Sequence, residues 1–277
     1  MRQSSVFSVL IVATILSTST QALAGAWTQK KGGYYLKIAG GYLNSKDDID
    51  AGGSRVQKAG LGELRDVNYS IYLEYGLMDR LTLVASAPYK RMKDTRTFVT
   101  GKAFEKRSGF GDLEMRLRWQ GIQKSYVASL AFGGKLPMWY DKDLGTRVPL
   151  SSTEVDLDGR LLLGKSLHPF PGYLTGEFGY RYRGGTFSNE MFYGAEAGVT
   201  MGKFLVKGFI SGIHTFGECV TTAEVGLIGD QNVLKISPGL IYNLSPKLEI
   251  GLDLIRVASG CNTGAGNTLL LGFAYKR

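Results

Sequence analysis

The stretch at residues 108–121, SGFGDLEMRLRWQG, has a charged residue at every second position from Asp112 to Arg118, with a bulky apolar residue between each. An α-helix would scatter these charges around its circumference, because its period is 3.6 residues. A β-strand separates the two sets onto opposite faces. The stretch is therefore predicted to be a strand with one charged and one apolar face.

Runs with the same period of two recur along the whole chain. Most have the ~9–11 residues that a tilted strand needs to cross a bilayer. Lumen residues dilute the apolar ones in a transmembrane barrel, so a chain that is 44% hydrophobic can still span a membrane. The predicted fold is all-β, an antiparallel transmembrane β-barrel of about 12 strands. The candidate strands are residues 34–43, 66–75, 81–89, 111–120, 126–137, 154–164, 173–183, 190–200, 204–214, 232–242, 248–257 and 267–275.

The connections between these strands alternate in length. Residues 44–65, 90–108, 138–153 and 215–231 form long segments, whereas 76–80, 121–125, 201–203 and 243–247 form short turns rich in residues that turns favour. Outer-membrane barrels have long outer loops, short periplasmic turns and an even number of strands. The pattern therefore predicts a location in the cell outer membrane, with both termini in the periplasm.

Aromatic residues at the strand ends are consistent with this topology. Amphipathic rings concentrate at the two interfaces of a membrane, although aromatic residues also favour strands in soluble proteins. Two belts are predicted, one of Tyr34, Tyr75, Trp119, Tyr126, Tyr173, Tyr242 and Tyr275, and one of Tyr42, Tyr89, Trp139, Tyr140, Tyr182 and Phe192.

The start of the chain has the pattern of a secretory signal. Arg2 precedes an apolar run at residues 6–16 and a polar stretch that ends in Ala22-Leu-Ala24. The apolar run is shorter than the ~20 residues of a membrane-spanning helix, which favours a cleavable signal over an anchor. Residues 1–24 are predicted to be a signal peptide, and residues 25–277 the outer-membrane barrel.

The charged faces of the strands are predicted to line the lumen. A slip of one residue would place the four charges of residues 112–118 in hydrocarbon, at a cost on the order of several kcal/mol. Two interpretations stay open: these groups either pair and fill a closed lumen, or line a path for solutes. The candidate lumen residues are Asp112, Glu114, Arg116, Arg118, Asp156, Asp158, Arg160, Glu177 and Arg181, and the same parity adds Asn68, Ser70, Glu74, Glu196, Glu249 and Asp253.

Three stretches resemble the outer-membrane proteins grouped under the meta-pathway of phenol degradation. They are AWTQKKGGYYLKI from Ala26, YGLMDRLTLVASAPY from Tyr75 and GFGDLEMRLRW from Gly109. A strand, a turn similar to GLTDR and a strand opening similar to GxGD recur in that family. The resemblance implies a gram-negative, porin-like outer-membrane barrel that acts as a transporter or channel for small, often hydrophobic compounds.

The two cysteines, Cys219 and Cys261, fall in neighbouring outer segments. In an oxidising compartment a disulfide is expected to stabilise the protein by roughly 2–4 kcal/mol. Spacing alone cannot fix the geometry, so two free thiols are the alternative.

The outer segment after the third predicted strand carries much of the net charge of +9. As a solvated loop it would have no partner, but clustered cations can also hold anionic lipopolysaccharide or steer acidic solutes to the barrel mouth. Its basic residues are Lys90, Arg91, Lys93, Arg96, Lys102, Lys106 and Arg107.

Other classes of function find less support in the sequence. His168 and His214 are the chain's two imidazoles, and the surroundings of His214 lack the His-x-Ser spacing of outer-membrane phospholipases. The chain is therefore predicted not to be an enzyme, and no cofactor, metal or nucleic acid is expected. The expected partners are outer-membrane lipid with lipopolysaccharide, the barrel assembly machinery and an unidentified small solute. A channel, a closed surface-interaction barrel and, less favoured, a hydrolase or a soluble secreted barrel remain open.

Overall fold

The structure is a computed structural model that describes residues 25–98, 101–138, 150–152, 154–219 and 229–277. The predicted signal peptide, Trp139 and Tyr140 lie outside these ranges. In the described ranges no helix is long and apolar enough to cross a membrane.

The described residues form sixteen strands and one short 3-10 helix at Ala59–Leu61. In chain order the strands are β1 (Tyr34–Ser45), β2 (Asp47–Ile49), β3 (Arg55–Gln57), β4 (Glu63–Met78), β5 (Leu81–Phe98), β6 (Gly101–Phe110), β7 (Leu113–Gln123), β8 (Val127–Leu136), β9 (Asp156–Ser166), β10 (Gly172–Arg183), β11 (Glu190–Met201), β12 (Phe204–Thr215), β13 (Asn232–Asn243), β14 (Leu248–Cys261), β15 (Thr263–Gly264) and β16 (Asn267–Lys276).

Thirteen of these strands close into an antiparallel barrel. They occupy twelve positions, because β5 pairs first with β7 and, further along its length, with β6. The ring closes where β1 pairs with both β4 and β16. Each of the twelve predicted runs overlaps one barrel strand, so the predicted fold class is confirmed.

The two ends of the barrel differ as the connection lengths predict. Short turns join β4 to β5, β7 to β8, β9 to β10, β11 to β12 and β13 to β14, and these turns share one end with β1's start and β16's finish. We call this the turn end and the opposite one the loop end. At the loop end β2, β3 and β15 form a small separate sheet.

One outer segment differs from the prediction. Residues 90–108 were expected to be a loop, but β5 continues to residue 98 and pairs with β6 from Tyr89–Phe110 to Phe98–Gly101. The prediction ended the strand where its membrane-facing residues end. Backbone hydrogen bonds continue beyond that level, because the ladder needs no lipid to form.

The two faces of the barrel wall have opposite chemistry. Leu117 and Trp119 point outward with 46% and 52% of their surface exposed, whereas Arg118 between them is 1% exposed and lies inside. A soluble protein has the reverse arrangement, with its charged residues outside. The apolar outside of this barrel suits lipid, and its polar inside must be stabilised by internal pairing.

Candidate functional site

The centre of the lumen is a network of ion pairs around Asp158 of β9. The Arg116 guanidinium on β7 binds this carboxylate through two hydrogen bonds, Nε to Oδ1 at 2.8 Å and Nη2 to Oδ2 at 2.7 Å. Arg160 donates a third bond to Oδ1 at 2.9 Å, and Arg181 Nε lies 3.8 Å from Oδ2. The side chain of Asp158 has no exposed surface. One acid therefore joins arginines from β7, β9 and β10.

Further carboxylates satisfy the outer edges of this network. Glu114 accepts a 2.8 Å bond from Arg116, Glu177 pairs with Arg160 at 3.2 Å, and Glu190 pairs with Arg181 at 2.6 Å. Bidentate and charge-assisted bonds of this kind are short and directional, so they hold the side chains in fixed positions.

Phe192 of β11 lies beneath two members of the network. The guanidinium carbons of Arg160 and Arg181 lie 4.2 and 5.3 Å from the centre of its ring. Gly179 on the paired strand leaves room for the ring, because a Cβ there would collide with it. Cation–π attraction is strongest where water is excluded, as it is here.

The network continues to the loop end through Lys135 of β8. Its ammonium group lies 2.8 Å from Asp156 and 3.2 Å from Asp112. Ser151 donates a hydrogen bond to Asp112, and Lys135 bonds to Ser152. Residues 150–152 therefore fold inward and cover part of the lumen mouth.

At the turn end, residues 25–31 enter the lumen ahead of β1; we call them the leading segment. The Trp27 carbonyl oxygen accepts a 2.7 Å bond from Arg118, and Thr28 Oγ1 donates to Gln120 at 2.9 Å. Gln29 Nε2 donates to Glu74 at 2.8 Å, and Glu74 also pairs with Arg118 at 3.0 Å. The leading segment therefore occupies part of the turn end of the lumen.

A second, smaller ionic cluster joins β1, β11, β12 and β14. Lys207 lies 3.5 Å from Glu196 and 3.1 Å from Asp253, and Lys37 lies 3.6 Å from the same aspartate. The Tyr173 hydroxyl donates to Glu196 at 2.6 Å. Two lysines thus share one buried aspartate.

The side of the lumen opposite the network carries four apolar side chains among polar ones. Its inward residues, which we call the apolar wall, are Phe209, Ile213, Ile255 and Leu270. A cavity of about 120 Å³ lies between this wall and charged groups that include Glu114, Arg181, Arg183 and Glu190. The cavity therefore combines an apolar wall with charges of both signs, and Lys207, Lys235 and Asp253 line it beside that wall.

All nine candidate lumen residues lie inside the barrel, each in at least one ion pair. Eight of them belong to the network, whereas Arg118 lies apart with Glu74 and the leading segment. The nine are Asp112, Glu114, Arg116, Arg118, Asp156, Asp158, Arg160, Glu177 and Arg181.

Two aromatic residues were assigned wrongly to the membrane belts. Phe192 shares its inward parity with Glu190 and Glu196, and it lies 5% exposed inside the lumen. Tyr173 is also inside, because it binds Glu196. The parity of the acidic residues on the same strands would have placed both rings correctly.

Three features of the lumen were not predicted: the leading segment, the apolar wall and the folding-in of residues 150–152. The leading segment lacks a period of two, so strand patterning gives no signal for it. Strand patterning gives no signal for the apolar wall either, because β12 has apolar residues on both faces, with Ile210 outside and Phe209 inside.

Cys219 and Cys261 form a disulfide, with their Cα atoms 5.9 Å apart. The expected pairing is confirmed, and the alternative of two free thiols is wrong. The bond ties the segment after β12 to the end of β14 at the loop end.

The seven basic residues predicted for the outer loop belong to the strands of the β5–β6 hairpin. Lys90 points inward and donates a 3.0 Å hydrogen bond to the Leu150 carbonyl oxygen, and Arg96 binds Asp94 at 2.6 Å. Arg107 stands opposite the buried Met92. Arg91, Lys93 and Lys106 lie on the outward face, and Lys102 pairs with Thr97 in the backbone ladder.

The histidines and acids give little sign of catalytic or metal chemistry. His214 stands on the outward face of β12, with its ring 6.4 Å from that of Phe216. His168 is in the turn between β9 and β10. Among the residues that the structure describes, no group of three His, Cys, Asp or Glu side chains is placed to hold a metal ion.

The closed barrel, its apolar outside and its ion-paired inside define a transmembrane β-barrel of the outer-membrane type. No family model matches the sequence, and no curated protein matches it. The resemblance to the meta-pathway family therefore stays a prediction.

Solved structures share the fold at low sequence identity. An outer-membrane channel from Pseudomonas putida F1 superposes with a TM-score of 0.66 and 12% identity, over 92% of this chain and 98% of that one. The NanC porin gives 0.52 and 9%, over 87% and 100%. The transport unit of the Escherichia coli autotransporter AIDA-I gives 0.50 and 11%, over 88% and 90%.

Proposed function

We propose that this chain is an outer-membrane channel for small solutes, with its loop end outside the cell and both termini in the periplasm. The observation that carries the proposal is the cavity between the ion-pair network and the apolar wall. A barrel whose purpose was only structural would have no need of two different surfaces facing one space. Two of the similar folds are called a channel and a porin, which is consistent with this role.

The path that we propose follows the boundary between the two surfaces. Solutes would enter at the loop end beside residues 150–152, pass Phe209 and Arg181, and leave past the leading segment. Reciprocal ion pairs hold the side chains of the network in place, so the lumen can widen on the side of the apolar wall. The leading segment obstructs the turn end of this path, where it is bound to Arg118, Gln120 and Glu74.

The proposed solutes are small compounds with an apolar or aromatic body. Phe209, Ile213, Ile255 and Leu270 would contact the body, while the charged side of the cavity would contact a polar end. Most ligand sites combine a mainly apolar wall with a few fixed polar groups. The resemblance to the meta-pathway family agrees with this class of compound.

A closed barrel that acts through its surface is the second candidate. The leading segment and the buried network favour it, because together they fill much of the lumen. Membrane insertion by the barrel assembly machinery is proposed in either case. An enzymatic role is not proposed, because His214 faces away from the charged residues of the lumen.

The test is single-channel conductance of the refolded barrel in a planar bilayer, with a matched pair of variants on β12. Ser211→Trp places a large ring in the cavity, since Ser211 lines it, whereas Ile210→Trp places the same ring on the outward face. We expect steady conductance from the wild type, a severalfold lower value for Ser211→Trp and no change for Ile210→Trp.

Folding of each variant is checked by heat-modifiable migration in gels, which separates a blocked lumen from a failed barrel. Wild-type protein that is folded and inserted but electrically silent would contradict the channel and favour the closed barrel. Equal conductance in Ser211→Trp and wild type would show that ions do not pass through this cavity.

A further inference from the structure

Three basic side chains stand side by side on the outward face of β4, β5 and β6. Arg65 is directly opposite Lys93, and Lys93 is directly opposite Lys106. We call these three residues the basic row. Like charges placed directly across a sheet repel each other, and the row contains no acid of its own. The arrangement therefore favours a bound anion.

The side chains of the basic row are accessible. Arg65 has half of its side chain exposed and bonds to Glu63 on the same strand at 2.8 Å. The ammonium groups of Lys93 and Lys106 each lie 5.3 Å from the ring centre of Phe104. Both lysines thus converge on one ring, and their charges remain close together at the surface.

The position of the row relative to the membrane follows from the strand register. Four residues nearer the turn end, Tyr69, Tyr89 and Phe110 stand opposite one another across the same three strands. The rings of Tyr89 and Phe110 lie edge to face at 5.3 Å, and Tyr69 and Phe110 are about half exposed. Outward aromatic rings at a strand end mark the membrane interface.

Between the aromatic residues and the basic row stands Arg91, opposite Val67 and Ser108. Alternate residues on a strand are about 6.8 Å apart along it, so Arg91 is one such step beyond the rings and the basic row two. Lipid phosphates lie directly beyond the hydrocarbon boundary. Four cations therefore stand at the level of the headgroups, on the side of the barrel that faces lipid.

The inward face of the same hairpin is already occupied. Leu64 and Met92 pack with Leu150, and Lys90 is bound to the Leu150 carbonyl oxygen. This packing fixes the orientation of β5 and β6, so the basic row cannot turn toward the lumen. The geometry favours a lipid-side ligand over the steering of acidic solutes into the mouth.

We propose that Arg65, Arg91, Lys93 and Lys106 bind the phosphate groups of phosphorylated glycolipid in the outer leaflet, which is the lipid A part of lipopolysaccharide. The inference rests on the outer-membrane location and orientation proposed above, but not on conductance. Guanidinium and ammonium groups suit phosphate oxygens through charge-assisted hydrogen bonds. The acyl chains would lie against the aromatic rings below.

The experiment measures binding of lipid A to the refolded barrel in detergent micelles by native mass spectrometry. The probes are bisphosphorylated lipid A, the same lipid with both phosphates removed, and phosphatidylglycerol. The test variant is Lys93→Gln/Lys106→Gln. Its matched control is Lys203→Gln/Lys247→Gln, which removes two exposed lysines from turns at the opposite end.

We expect the wild type and the control to prefer the bisphosphorylated lipid, and the test variant to bind it about 30-fold more weakly. That figure follows because each basic residue at an anionic membrane surface is worth roughly fivefold in affinity. The proposal would be overturned if the affinity for bisphosphorylated lipid A fell equally in the control, or did not fall in the test variant. So would equal binding of the two lipids, or tighter binding of phosphatidylglycerol than of lipid A.

The outcomes separate this inference from the proposed channel. If the barrel binds lipid A but does not conduct ions in bilayers, the basic row is supported as a glycolipid site and the proposed channel is contradicted. If the barrel conducts ions but does not prefer the phosphorylated lipid, the channel is supported and the glycolipid site is contradicted.

Discussion

The two sides of the lumen are stabilised by different forces. On β7 to β10, Asp158 and its three arginines form a network in which almost every charge has a partner. On β12 to β16 the inward residues include the apolar wall beside the Lys207–Asp253 ion pair, and the loop end is tied by the Cys219–Cys261 disulfide. The difference indicates that one barrel can combine a side held rigid by ion pairs with a side that lines a cavity. We expect each side to fail under a different perturbation.

The largest effect is expected from Asp158→Ala. The change leaves Arg116, Arg160 and Arg181 without their shared acid, and breaking a buried ion pair from one side costs about 3–5 kcal/mol. The free energy of unfolding in urea, with the barrel in lipid vesicles, measures the loss. Glu63→Ala removes an acid from an exposed pair with Arg65 and should cost no more than about 1 kcal/mol. Equal losses in the two variants would mean that the network does not hold the ionic side.

The next effect concerns the apolar side. Cys219→Ser/Cys261→Ser removes a bond between residues 42 apart in sequence, and such bonds contribute about 2–4 kcal/mol. We expect the same loss when the wild type is unfolded under reducing conditions, and no additional loss when the double variant is reduced. If reductant did not change the free energy of unfolding of the wild type, the apolar side would be held by packing alone.

A third prediction tests whether the two sides act together on solutes. Phe209→Ser removes an aromatic surface from the cavity, and burial of such a ring is worth up to roughly tenfold in affinity. Flux of benzoate into liposomes should fall relative to flux of acetate, which has the same charge but lacks the ring. An unchanged ratio would mean that solutes avoid the apolar wall.

The contrast between the sides also explains what could be predicted from the sequence. A strand such as β7, with Glu114, Arg116 and Arg118 on one face and Leu117 and Trp119 on the other, has one register that satisfies both lipid and lumen. Its charges could therefore be assigned to the lumen from alternation alone. The strand count followed in the same way.

The apolar side gave no such signal. Strand β12 has Phe209 inside and Ile210 outside, so its two faces look alike and nothing distinguishes a cavity wall from a lipid surface. The leading segment and residues 150–152 enter the lumen through hydrogen bonds to partners far away in sequence, such as Thr28 to Gln120. Strand periodicity contains no information about contacts of this kind.

The smallest effect is expected at Phe192, where the two sides meet. Phe192→Leu keeps an apolar side chain but removes the ring beneath Arg160 and Arg181, and a desolvated cation–π contact is worth about 1–2 kcal/mol. Phe178→Leu, on the outward face of the neighbouring strand β10, is the matched control and should change the free energy of unfolding less. In an Asp158→Ala background the cost of Phe192→Leu should shrink, because the arginines are no longer held above the ring. An undiminished cost would mean that Phe192 stabilises the apolar side by packing and is independent of the network.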